Sequence, residues 1–308
     1  MSTVLTVVIP THNPRQESLA RVLTALRSQT LPTDQWDLVV IDNASAADLN
    51  SLLRLDWHPA ARVVREEKLG LTPARMRGFQ EAKGEIVVLV DDDNELRADY
   101  LERVLAIAAK FPFLGTWGGS IVPEFENPLL EPPKIFHVYL ACRTCESDSW
   151  SNDRHHHGST PWGAGMCVRR TVFEEYLKQV HENPGREKLD LQGKKLLYGG
   201  DTDIAYVGCG MGLGKGVFSS LHVTHLIPSQ RCKEAYLISS VEGHAYSGVI
   251  HEFLLSGRIM APRTDIVGKI GVIARWPLLT ATDRKIASAA RRGVDQAVKD
   301  LKPSGVRS

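Results

Sequence analysis

Through its first 110 residues the chain alternates short apolar runs with stretches whose apolar positions recur every three or four residues. Residues 4–9 (Val-Leu-Thr-Val-Val-Ile), 38–41 (Leu-Val-Val-Ile) and 86–90 (Ile-Val-Val-Leu-Val) are short, continuous and rich in β-branched side chains. Such runs predict strands buried on both faces. A fourth, weaker strand is predicted over 62–65. Between them, Leu19, Val22, Leu23 and Leu26 stand at i, i+3, i+4, i+7 and predict a helix over 16–29. A short helix is expected over 46–53. Another opens at Thr72-Pro73, with Thr as N-cap and Pro at N1, and a further one covers 97–110. The alternation β-α-β-α-β-α-β implies an α/β fold with a doubly wound, mostly parallel sheet. Residues 123–160 show no clear period and read as an insertion. From 233 onward helical patterns dominate, including 286–301 with Ile286, Ala290, Val294 and Val298 at i+4 steps.

Composition narrows the class. A chain of 308 residues with 43% hydrophobic and 24% charged residues buries a full core. A net charge of +1 argues against a nucleic-acid partner. The charge is uneven: residues 258–308 carry 11 Lys/Arg against 4 Asp, or +7, leaving −6 before them. That basic end suits contact with an anionic membrane surface, a homo-oligomer interface or a solvated helical face. No run approaches 18 apolar residues. The chain starts directly in a strand, and five cysteines without a framework fit a reducing compartment. The expected location is therefore cytoplasmic, with attachment at the inner face of the membrane left open. Cys142-x-x-Cys145, with His155-His156-His157 nearby, is a weak zinc pattern.

The chemistry concentrates where the strand at 86–90 runs into Asp91-Asp92-Asp93. The C-terminal end of a strand in an open α/β sheet is where ligands bind. Three adjacent carboxylates call for a positive partner, and a divalent cation carrying a diphosphate suits hard oxygen ligands. The alternative is a solvated acidic turn. Two nucleotide classes lack their signatures. No G-x-G-x-x-G follows the first strand, and the glycine run from Gly208 to Gly216 matches neither that fingerprint nor a P-loop. That run reads as the end of a helix and a turn.

Four segments, "VVIPTHN", "LVVIDNAS", "EKLGLTPARMRGF" and "GEIVVLVDDDNEL", resemble in order and spacing the nucleotide-binding half of family 2 glycosyltransferases over residues 3–110. A second set, "WGAGMCVRR", "YGGDTDIAYVG" and "HVTHLIPSQR", extends the resemblance over 162–231. The resemblance implies a GT-A fold with a Rossmann-like nucleotide half and a C-terminal helical extension. Residues 1–231 would form the transferase domain (1–122 for the nucleotide sugar, 123–231 on the acceptor side) and 232–308 the extension.

The resemblance also assigns roles. Pro10, Thr11 and Asn13 would pack on base and ribose, and Asp42 would accept a hydrogen bond from the base, unless it only caps its strand. Lys68, Gly70 and Arg75 would face the nucleotide. In the D-x-D element Asp93 would bind Mn²⁺ or Mg²⁺, with Asp91 and Asp92 near the ribose or the metal. His225 would be a further metal or diphosphate ligand, and Arg231 would meet the diphosphate. Asp201, which also reads as a helix N-cap, matches the family's catalytic base, with Asp203 as fallback. The Glu that precedes this base in the family is Gly200 here. Trp162 and Gly163 would lie on the acceptor side, or simply form a tight turn into a strand. The implied activity is inverting transfer from a nucleoside-diphosphate sugar (UDP first, dTDP or GDP next) to a hydroxyl of a carbohydrate or glycoconjugate. A nucleotidyltransferase and a non-catalytic nucleotide-sugar scaffold are the competing readings; Gly200 keeps the second in play.

Overall fold

The computed structural model describes residues 4–190, 197–259 and 279–301. Its centre is one sheet in the order β3-β2-β1-β4-β8-β6-β9-β5, with β7 also paired to β9. The strands are β1 (Leu5–Thr11), β2 (Trp36–Asn43), β3 (Ala61–Glu66), β4 (Ile86–Leu89), β5 (Asn94–Leu96), β6 (Leu114–Phe125), β7 (Ser149–Ser151), β8 (Cys167–Arg169) and β9 (Gly214–Ile227). The β3-β2-β1-β4 half is wholly parallel. Beyond it β8 runs antiparallel to both β4 and β6, and β6 pairs parallel with β9.

Alternate residues of the apolar runs face opposite layers, as a strand's two-residue period requires. Val7, Ile9, Leu38, Val40 and Val88 pack under α1 (Gln16–Arg27) and α4 (Tyr100–Lys110). Val8, Val39, Ile41, Val87 and Leu89 pack under α3 (Leu71–Glu81), α5 (Arg170–Glu182) and α6 (Gly200–Gly210). The remaining helices are the short α2 (Leu49–Leu52), α7 (Glu234–Ser256) and α8 (Ala281–Leu301). α7 and α8 enclose a smaller apolar cluster with Phe125, Phe136 and Leu140.

Several expectations need correction. α3 is capped by Gly70 at φ 142°, not by Thr72, whose hydroxyl is turned to Asp190. α6 is capped by Gly199 at φ 134°, so Asp201 belongs to the first turn. The 123–160 segment is not all insertion: β6 runs on to Phe125 and β7 lies within it. On α8 the fully buried stripe is Ala289, Gly293 and Ala297, with Ile286 and Ala290 of the expected series packed half-buried beside it. Small residues win there because a side chain at position 293 would meet the Glu242 carbonyl oxygen of α7 at 2.1 Å. No described helix is long and apolar enough to cross a membrane. Residues 260–278 and 302–308, and with them much of the basic segment 258–308, lie outside the described residues.

Candidate active site

The strand order 3-2-1-4 reverses direction at β1, so β1 and β4 flank a topological switch point, where α/β sheets bind ligands beyond their C-terminal ends. Thr11 ends β1, and its hydroxyl donates to Asp92 just beyond β4. One ladder step across, Thr11 pairs with Asp42 of β2, and Asp42 with Arg65 of β3. Asp42 is buried and accepts from Arg65 Nη1 at 2.7 Å and from the Ser45 amide at 3.1 Å. Against a desolvation cost that works the other way, these donors hold its carboxyl below the ordinary range. Asn13, at φ 47°, closes the rim: its amide donates to Ser45 Oγ, and its Oδ1 accepts from the Ala46 amide. Pro10 stays in the β1 ladder opposite Ile41.

Asn43 stitches this rim to the next loop. Its Nδ2 donates to the Lys68 carbonyl at 2.8 Å, and its Oδ1 accepts from the Gly70 amide at 2.8 Å. Lys68 itself is exposed and pairs with Glu187. Arg75, one turn into α3, is buried. Its Nη1 donates to Asp190 at 3.2 Å, and its Nη2 stands 4.0 Å from Asp91. Burial opposes its charge, but Asp190, Asp91 and Asp201 outweigh that cost.

The acid triplet is electrostatically divided. Burial and the charge of Asp93 push Asp92 up to about 7, and burial first, then Asp93, raises Asp91. Asp93 is desolvated too, yet His225 and Arg231 hold it well below the usual carboxylate range. Arg231 Nη1 lies 3.1 Å and His225 Nε2 3.5 Å from Asp93 Oδ2. The sheet delivers this pair, because Asn94 of β5 faces His225 of β9 in the ladder.

Among the described residues no three His, Cys, Asp or Glu side chains are grouped to hold an ion by themselves. The expected trio of Asp93, Asp91 and His225 is thus a pair plus one, with Asp91 leaning toward Arg75. The residues nonetheless fit a hard cation that takes most of its ligands from phosphate oxygens. Two acids held up by burial and by the charge of Asp93 want a positive neighbour, and His225 Nδ1 is buried with no partner. The Cys142–Cys145 pattern is not gathered into such a group either. The cysteines are free and buried, His156 Nδ1 is bonded to Ser159 Oγ at 2.9 Å, and His157 faces Tyr206.

Across the site, Asp201 Oδ2 accepts the Gly163 amide at 2.7 Å and Oδ1 accepts the Thr202 amide at 2.7 Å. A Cβ at Gly163 would lie 2.6 Å from Arg75 Nη2, so Arg75, Gly163 and Asp201 are in close contact. Trp162 is half-buried, with the Arg143 guanidinium 4.7 Å over its ring. Asp203 does not serve this surface. It is fully buried, and its Oδ1 is bonded to Arg186 Nη1 at 2.5 Å and to His251 at 3.3 Å. Asn43, Arg65 and Asp190 are the site residues that sequence reasoning missed.

Comparison with known proteins follows the same outline. The model of a family described as "Glycosyl transferase family 2" matches residues 6–177. Glycosyltransferase AglE of Haloferax volcanii is 28% identical over 102 residues, covering 32% of this chain and 33% of the relative. The chain spans between a quarter and about half of the length of the curated relatives it matches. S. aureus TarS 1-349 in complex with UDP-GlcNAc is 14% identical, with a TM-score of 0.52 over 96% of this chain and 89% of that one. GalNAc-T7 with UDP, GalNAc and Mn²⁺ is 18% identical, with a TM-score of 0.52 over 73% of this chain and 43% of that one. At these identities the two structures speak to fold.

Proposed function

The chain belongs to glycosyl transferase family 2 and has the GT-A fold, and from that premise we propose that it moves a sugar from a nucleoside-diphosphate donor to an acceptor hydroxyl with inversion. The observation that carries the reading is the convergence of Thr11, Asp42 and the acid triplet at one switch point, with Asp201 linked to it through Arg75. Asp42 would accept from a base N–H, and Thr11 and Asn13 would line the base and ribose; a uracil edge is the first choice. Structures of similar fold that hold UDP or UDP-GlcNAc support that choice. Lys68 and Gly70 would close over the nucleotide.

Asp91, Asp93 and His225 would hold a divalent ion, Mn²⁺ or Mg²⁺. Such an ion offsets the charge of the departing diphosphate. Arg231, fixed beside Asp93, would meet the same diphosphate oxygens as a bidentate donor. Asp201 Oδ2 accepts only the Gly163 amide and keeps a lone pair, whereas Oδ1 takes the Thr202 amide and, at 3.5 Å, the Thr202 hydroxyl. Asp201 would take the proton of the acceptor hydroxyl as that oxygen bonds to the anomeric carbon and the sugar–phosphate bond breaks on the opposite side. Trp162 and Gly163 would border the acceptor. Residues 1–122 would form the donor half, 123–231 the acceptor side and 232–308 an appended helical part. The acceptor would be a carbohydrate or glycoconjugate in surface polysaccharide synthesis, and the basic end would lie at a membrane or between copies of the chain.

The test is donor hydrolysis across UDP-, dTDP- and GDP-sugars, with Mn²⁺ or EDTA, on the wild type and Asp93→Ala. Release of a nucleoside diphosphate from one donor is expected, lost in EDTA and lowered about 100-fold or more in the variant. If calorimetry finds no donor bound, with or without metal, the transferase reading is wrong.

A further inference from the structure

We infer that Asp190 is a positioning residue of the transfer site, supplying in space the carboxylate that Gly200 lacks in sequence; the inference rests on the transferase reading above. Asp190 is buried and accepts three hydrogen bonds. Thr72 Oγ1 at 2.9 Å and Arg75 Nη1 at 3.2 Å reach its Oδ2, and the Gly200 amide at 3.1 Å reaches its Oδ1. Two of these donors lie on α3 and the third is the first N–H of α6. One side chain therefore ties the helix carrying Arg75 to the helix carrying Asp201.

The same carboxylate explains the glycine. A Cβ on Gly200 would lie 2.1 Å from Asp190 Oδ2 and 2.5 Å from its Cγ, distances no real side chain tolerates. Position 200 and Asp190 compete for one volume, so only one of them can deliver an acid there. With Asp190 in place the acid arrives from the segment after α5, and Gly200 ceases to be an argument for a non-catalytic scaffold.

Asp190 acts through Arg75. Without it the buried guanidinium keeps Asp91 and Asp201 as its anionic neighbours and shifts toward one of them. Either shift misplaces a group that the transfer step needs, and a displacement of about 1 Å costs on the order of 100-fold in rate.

The experiment is an exchange of the acid between the two positions: wild type, Asp190→Gly, Gly200→Glu and the double variant. Thermal denaturation needs no substrate. Each single variant is expected to lose Tm, with Gly200→Glu losing most because its side chain meets Asp190. The double variant should recover well beyond the sum of the two losses. If Gly200→Glu does not fold at all, a folded double variant is the same coupling. Additive losses overturn the exchange, whatever the enzyme's activity. The second readout is donor turnover. Asp190→Gly should lower kcat about 10–100-fold with a smaller change in donor KM, and the double variant should regain at least part of it. Wild-type kcat in Asp190→Gly overturns the positioning role. A wild type that binds no donor, with or without metal, refutes the transferase reading instead, and the thermal cycle still judges the exchange of the acid.

Discussion

Arg75 is the side chain through which the two halves of the site communicate. It is buried, donates to Asp190, stands 4.0 Å from Asp91, and lies against the glycine whose amide holds Asp201. Gly163→Ala tests how tightly that contact is built. The new Cβ would stand 2.6 Å from Arg75 Nη2, and the guanidinium cannot yield freely while Asp190 holds it. Overpacking of this kind costs about 1–3 kcal/mol. We expect a destabilisation in that range by urea denaturation, with kcat falling more than donor affinity. Unchanged stability would mean that Arg75 is loosely seated. As candidates, Asp201, Asp93 and Asp42 could be picked out of the sequence because each sits in a contiguous motif at the end of a readable strand or turn. Asp190 could not. Its two side-chain partners are 118 and 115 residues away in sequence, and nothing in its own neighbourhood marks it. Arg65 and Asn43 were hidden in the same way, since their role comes from neighbouring ladder positions.

At the scale of elements, the parallel half of the sheet is pinned at its N-terminal edge by a polar cluster. Asp37 of β2 is fully buried, accepting from Thr6 Oγ1 of β1 at 2.5 Å and from Arg62 Nη1 of β3 at 2.8 Å. Thr6 Oγ1 in turn accepts the Gly84 amide at 2.9 Å, at the approach to β4. One carboxylate thus joins three strands and the loop into the fourth. Asp37→Ala takes the acceptor from Thr6 Oγ1 and from Arg62 Nη1, while Arg62 Nη2 keeps the Glu81 carbonyl. Breaking a fully buried pair costs about 3–5 kcal/mol; Arg62 is partly exposed, so about 3 kcal/mol is expected from urea denaturation. A loss under about 1 kcal/mol would show that the cluster is incidental. Apolar runs made β1 to β4 readable, whereas β6 and β9 were missed. Gly118, Gly119 and Pro123 break the β6 pattern, and residues of that kind argue against a strand interior. The structure needs them. A side chain at 119 would meet the Leu221 carbonyl oxygen at 2.1 Å, just where the β6–β9 ladder shifts register. The close approach that forbids side chains also erases the signal that would reveal the strand.

For the whole molecule, the pH dependence of stability separates into opposing contributions. His58, His222 and His244 all lie below the ordinary histidine value, chiefly because burial disfavours their charged form. His58 is the sharpest case. It stacks edge-on at 4.2 Å against Trp36, and its Nδ1 accepts the Ala60 amide at 3.2 Å, which protonation would forbid. When a folded-state pKa lies below the unfolded one, the unfolded chain binds more protons between the two values, so stability rises as pH rises across that interval. The contribution of His58 is therefore complete above about pH 6.5 and declines below it. Asp92 works in the opposite sense, since a carboxyl raised to about 7 favours the folded state as pH falls through the same range. Carboxyls held low by their donors, such as Glu126 at about 2, lose their contribution only below about pH 4.5. The wild-type curve near neutrality mixes the first two effects, and the difference between two proteins does not. Urea midpoints of wild type and His58→Gln, taken from pH 5 to 7.5 at fixed ionic strength, should diverge least at pH 5. The wild type should gain on the variant as pH rises to 6.5, and the gap should then stay level. A constant difference across the series would mean that His58 takes up its proton in the folded state as readily as in the unfolded chain.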